Sequence, residues 1–115
     1  MTAGKTPSAT YKLFAEAIGQ RKQITCSYRG YRRELCPIIL GHKENGDEVA
    51  LTFQFGGESS RALPRGGSWR CLLLSEARDV RLRDGSWRSG PSHQRPQTCV
   101  DIVDLDVNPA SPYKQ

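Results

Sequence analysis

The feature that most constrains this chain is a change of hydrophobic period near residue 20. Before it, Tyr11, Leu13, Phe14, Ala17 and Ile18 recur at helical spacing and share one stripe of an α-helix. After it, Ile24, Cys26 and Tyr28 alternate with polar residues, a pattern that puts apolar side chains on one face of a strand. A short amphipathic helix followed by alternating segments calls for a helix that covers a sheet. Thr6-Pro7 or Ser8 can begin the helix, and Gly19 suits the left-handed position that ends one.

The period-two reading continues along the chain. Gln23 to Arg29 forms a strand, Arg29-Gly30-Tyr31-Arg32 a turn, and Arg33 to Leu40 the return, with Leu35 and Ile39 on one face. Pro37 has no N–H for a ladder, so it marks an edge or a bulge. In Glu44-Asn45-Gly46-Asp47 the Asn-Gly pair favours a primed hairpin turn. Glu48 to Phe55 follows, with Val49, Leu51, Phe53 and Phe55 inward. Trp69 to Leu74 is a fourth strand, and Val80 and Leu82 start a short fifth element. Val100, Ile102, Val103, Leu105 and Val107 make a last strand or short helix. The fold expected is mainly β: a small SH3-like antiparallel barrel of about five strands with one N-terminal α-helix. With 115 residues the chain forms one domain, 8–107, between polar tails at 1–7 and 108–115. The tetrapeptide Gly-Ser-Trp-Arg occurs at 67–70 and 85–88, once entering a strand and once leaving one. No further residues match, so no repeated unit is present.

Charge is unevenly spread. The net charge is +5, yet residues 34–55 are acidic, and every basic residue of 56–95 is arginine, the side chain suited to forked contacts with phosphate or carboxylate. This balance admits an anionic partner. The longest apolar runs are too short to cross a bilayer, and the first residues lack a signal-peptide core. The expectation is a cytoplasmic protein without a membrane partner. The four cysteines (26, 36, 71, 99) include no CxxC pair. Small buried thiols in strands are expected, with a Cys26–Cys36 bridge or a partial metal site as the alternative.

The order of these pieces resembles a known family. The leading "EAIGQRKQI", Tyr28-x-Gly30, Arg33-x-Leu35-x-Pro37, the Asn-Gly hairpin, Gln54 with Gly56-Gly57, and Trp69-Arg70 are together similar to WYL-domain proteins of bacteria. The likeness spans residues 13 to 82. It implies an SH3-like, Sm-type barrel that senses a nucleotide or nucleic acid through a basic pocket, in transcription regulation or defence. Several positions depart from the pattern. The signature Trp-Tyr-Leu falls on Glu48-Val49-Ala50, the arginine after the loop on Leu73, and the following Asp-Arg on Ser75-Glu76. The sequence leaves no upstream room for a helix-turn-helix, so a short stand-alone form is expected.

The candidate ligand-binding residues are Arg33, Gln54, Arg61, Trp69 and Arg70. Arg33 opens a strand, as a ligand contact or a solvated strand end. Arg61, Arg65 and Arg70 lie in or beside the glycine-rich segment Gly56 to Ser68, whose amides hold an anion or whose charges keep a loop soluble. Trp69 stacks on a base or lids the core. Gln54 reads a ligand edge or satisfies buried backbone at a bend. For catalysis, His42 and His93 lack a Ser, Cys or carboxylate partner at motif spacing, and Asp101, Asp104 and Asp106 read as a solvated edge. No catalytic, metal or cofactor site is expected. The functional expectation is a non-enzymatic module holding a small anionic or nucleotide-like ligand or single-stranded nucleic acid. The alternative is a structural module that pairs with itself or another protein through a barrel edge at Pro37 or the short last strand.

Overall fold

The computed structural model describes residues 6–58, 67–87 and 97–107. Helix α1 (Ala9–Gln20) leads six strands: β1 (Gln23–Tyr28), β2 (Tyr31–His42), β3 (Glu48–Gly57), β4 (Ser68–Leu73), β5 (Ala77–Arg83) and β6 (Ile102–Asp106). The mainly β class with one leading helix holds, with six antiparallel strands among the described residues where about five were expected. Ser8 caps α1, its Oγ accepting from the Tyr11 N–H at 3.0 Å. The helix ends at Arg21, in the left-handed region at φ 55°, and runs through Gly19. Arg21 offsets that conformation with contacts glycine cannot make. Its Nη1 donates to the Ile18 carbonyl and its Nη2 to the Val107 carbonyl, each at 2.7 Å.

The strands pair in the order β4-β3-β2-β1-β5. The outermost strands, β4 and β5, are joined only by a 3-10 turn, Leu74–Glu76. Three residues reach about 10 Å, so the sheet must curl until its edges meet. Its inner face gathers Ile24, Cys26, Tyr28, Leu35, Leu40, Ala50, Leu72, Leu74 and Ala77 with Phe14, Ala17 and Ile18 of α1. Arg29 and Gly30, at φ 52° and 85°, make a two-residue turn that sets Tyr28 directly opposite Tyr31. The Asn45-Gly46 turn is not the primed type expected. The Gly46 N–H closes onto the Lys43 carbonyl, Gly46 alone in this turn takes positive φ, and the Asn45 side chain accepts from the Asp47 N–H.

Pro37 is fully buried in the central strand β2, so it marks a bulge and not an edge. One side of β2 pairs with β1 as far as Leu35 and with β6 from Ile39 onward, and Pro37 stands in the gap between those partners. The bulge reverses the side-chain parity. Leu35 and Leu40 face the inner core, while Ile39 turns to the outer face, separating two residues expected together. The outer face of β2, β3 and β4 is also covered. Residues 97–107 form a strap across it, burying Cys99, Val100 and Val103 against Cys36, Ile38, Ile39, Val49, Leu51 and Phe53.

The strap carries a correction to the expected cysteine chemistry. Cys71 on β4 is joined to Cys99 in a disulfide, across a Cα–Cα distance of 5.7 Å. Four thiols are therefore not retained, and only Cys26 and Cys36 remain as buried thiols. A Cys26–Cys36 bridge does not form because the two side chains belong to cores on opposite faces. No helix among the described residues is long and apolar enough to cross a membrane.

Candidate anion site at an arginine pair

Three of the five expected residues meet on the inner face, on three neighbouring strands. Leu35 of β2 lies opposite Gln54 of β3, and Thr52 of β3 lies opposite Arg70 of β4. Strand alternation then turns Arg33, Gln54 and Arg70 toward the same interior. Gln54 is fully buried and uses its whole amide on the protein. Its Oε1 accepts from Arg33 Nη1 at 3.0 Å, and its Nε2 donates to the Gly56 and Glu58 carbonyls at 2.9 and 3.0 Å. Gln54 thus satisfies backbone at the end of β3 and positions Arg33.

Arg33 is 6% exposed. Its Nη2 reaches the Tyr28 carbonyl at 3.4 Å, while its Nε is buried without a hydrogen-bond partner. The guanidinium lies over the rings of Tyr28 and Tyr31, 5.4 and 5.7 Å from their centroids. Burial, helped by the nearby Arg70 charge, lowers its pKa from the ordinary arginine value. Arg70 is half-buried and also has an unpartnered buried Nε. Among the described residues neither arginine has a carboxylate partner. The outer surface differs: Arg29 pairs with Glu76, Arg32 and Arg81 with Asp79, and Arg83 with Glu34. Arg21, Lys43 and Arg78 also lack a carboxylate but donate to backbone carbonyls, so what sets Arg33 and Arg70 apart is a buried Nε without a partner. A buried guanidinium without a counter-ion is costly, and a bound anion is what removes that cost.

Trp69 points the other way. It meets Phe53 edge-to-face at 5.3 Å and packs on the outer core, as does Trp87. Its indole is therefore separated by the sheet from anything held between Arg33 and Arg70. Arg61 and Arg65 lie outside the described residues. The aromatic surfaces beside the pair are Tyr28 and Tyr31, which sequence reasoning did not select. Their signal was the two-residue turn, which makes them cross-strand partners two rungs from the Cys26–Arg33 pair and so on the same face as Arg33. An open hollow of about 420 Å³ lies at the 43–47 turn beside Leu73 and Asp101, and neither arginine lines it.

His42 lies at the end of β2 rather than in a turn, and it does have a carboxylate partner. Its Nδ1 is 2.9 Å from Asp104 Oδ2, which also accepts from the Tyr11 hydroxyl, and the Tyr11 and His42 rings stack at 5.6 Å. Burial and the bond to Asp104 raise the Tyr11 pKa above its ordinary value. Asp104 therefore clamps α1, β2 and β6 together instead of lying on a solvated edge. Asp101 likewise accepts from the Glu44 N–H at 3.0 Å. His93 lies outside the described residues. Comparison with protein-family models, curated proteins and solved structures finds no match to the chain.

Proposed function

We propose that this chain is a non-enzymatic binding module that holds a small phosphate-bearing ligand, such as a nucleotide, between Arg33 and Arg70. The observation that carries the reading is the inner-face guanidinium pair with two buried, unpartnered Nε groups and no carboxylate among the described residues. The sequence likeness to WYL-domain barrels, and with it a role in bacterial transcription regulation, points to the same ligand class. Arg33 is too recessed for a polymer backbone to track past it, so a terminal phosphate fits better than a single strand. Tyr31, half-buried beside Arg33, offers the stacking face that Trp69 does not. A cytoplasmic setting belongs to the reading, with Cys71–Cys99 as a redox-responsive bond.

Calorimetric titration with inorganic phosphate, nucleoside phosphates and a short oligothymidylate tests this. At least one small phosphorylated ligand should bind with unit stoichiometry and lose affinity in Arg33→Gln and Arg70→Gln. A flat response across the panel overturns the reading. If the oligonucleotide alone binds, with a log–log salt slope near −1.4 for two contacts, the single-strand alternative is correct. A second reading rests on Ile102, which is 45% exposed on β6. An apolar residue there favours self-association through β6, and light scattering that shows a salt-stable dimer without ligand response would support it.

A further inference from the structure

We infer that the Cys71–Cys99 disulfide is a redox latch whose reduction releases the 97–107 strap while the curled sheet beneath stays folded. Three observations carry this. First, the two cysteines differ in access. Cys71 is exposed on β4, whereas Cys99, on the sheet-facing side of the strap, is 7% exposed. An external dithiol therefore attacks Cys71 Sγ, forming a mixed disulfide there and expelling Cys99 as a thiolate that takes up a proton. The second thiol of the reagent then displaces Cys71 and leaves as the oxidised cyclic disulfide, so the protein gains two electrons and two protons.

Second, the strap is joined to the sheet along a narrow seam. Among the described residues β6 pairs with Ile39–His42 of β2, and the strap adds backbone bonds from Asp101 N–H to the His42 carbonyl and from Val107 N–H to the Ile38 carbonyl. Side-chain ties add Tyr11 and His42 to Asp104, Arg21 to the Val107 carbonyl, Glu44 N–H to Asp101, and Lys43 to the Thr98 carbonyl. Third, the two cores are separable. The fully buried members of the inner core all come from α1, β1–β5 and the 3-10 turn, and strap residues contribute to it only the partly buried Leu105 and Val107. The outer core, by contrast, is closed by Cys99, Val100 and Val103. Opening the strap therefore uncovers an apolar sheet face of Ile38, Ile39, Val49, Leu51 and Phe53 without breaching the interior.

Native-state hydrogen exchange on the oxidised and dithiothreitol-reduced wild type tests the latch. Reduction should speed exchange of the Asp101, Val103 and Val107 amides by about 10²–10³-fold, the loop-closure cost of a 28-residue crosslink expressed as a ratio. Amides of β1 and the first half of β2 should change less than about threefold. The reduced protein should bind a hydrophobic dye and admit alkylation of Cys99, but not of Cys26, and reoxidation should reverse both. Cys71→Ser should reproduce the reduced pattern under oxidising conditions. Uniform loss of protection through β1–β3 would make the bond a staple of the whole fold, and unchanged exchange in the strap would make it idle. Either result overturns the latch.

Discussion

Replacing Arg70 with methionine should make the ligand-free protein more stable. The Arg70 side chain donates no hydrogen bond to any described residue, and the bond involving Thr52 uses the Arg70 main-chain carbonyl, which the variant keeps. The substitution therefore removes no favourable polar contact. It does remove one buried, unpartnered Nε, a group whose desolvation costs about 1–3 kcal/mol, and it relieves the repulsion that Arg33 experiences. Methionine retains most of the aliphatic stem, so the packing loss is small, below about 1 kcal/mol. The net expectation is a gain of about 1–2 kcal/mol, or ~4–10 °C in Tm for a domain of this size. Differential scanning calorimetry at low ionic strength, in a buffer without phosphate, measures it. Adding the ligand should erase the difference, since a ligand at ten times its Kd stabilises the wild type by about 1.4 kcal/mol and the variant hardly at all. A destabilised Arg70→Met protein would show that the guanidinium is compensated in solution, and the argument for an anion site would fail with it.

Three other outcomes follow from the geometry. Trp69→Phe should cost about 1–2 kcal/mol through lost contact with Phe53 and the outer core, yet leave the affinity for a phosphate ligand within twofold by titration. Gly41→Ala places a Cβ 1.9 Å from the Ile102 carbonyl oxygen and 2.6 Å from Val100, so β6 must shift; a loss of about 2–3 kcal/mol is expected, with faster exchange in β6 than in β1. Burial pushes the Cys26 pKa up to about 11, against the opposing pull of Arg33, so the folded state holds its proton after the unfolded state has lost it. Stability should therefore be intact below about pH 9 and fall by about 2–3 kcal/mol toward pH 11, as read from urea midpoints, whereas Cys26→Ala should lack that component; an identical pH profile in the two proteins would contradict it.

The period change near residue 20 was enough to determine the class of fold, because side-chain periodicity is a local property that only a helix and strands can satisfy together. Local chemistry likewise offered Ser8, beside Thr6-Pro7, as the start of the helix, and Pro37 as an edge or a bulge in its strand. The pairing of Arg33 with Gln54 and Arg70 was legible only in part. Each residue stood out individually, but which face each would take depended on register. For the same reason Trp69 and Arg70, adjacent in sequence, part company across the sheet. Contacts between distant segments left no local signal at all. Asp104 reaches His42 and Tyr11 from 62 and 93 residues away, and Cys71 meets Cys99 only because the strap crosses the outer face of β4. The bulge at Pro37 decided most of this. It reverses which residues of β2 face outward and so creates the second apolar surface that the strap covers, an arrangement set by how the whole sheet curls and pairs.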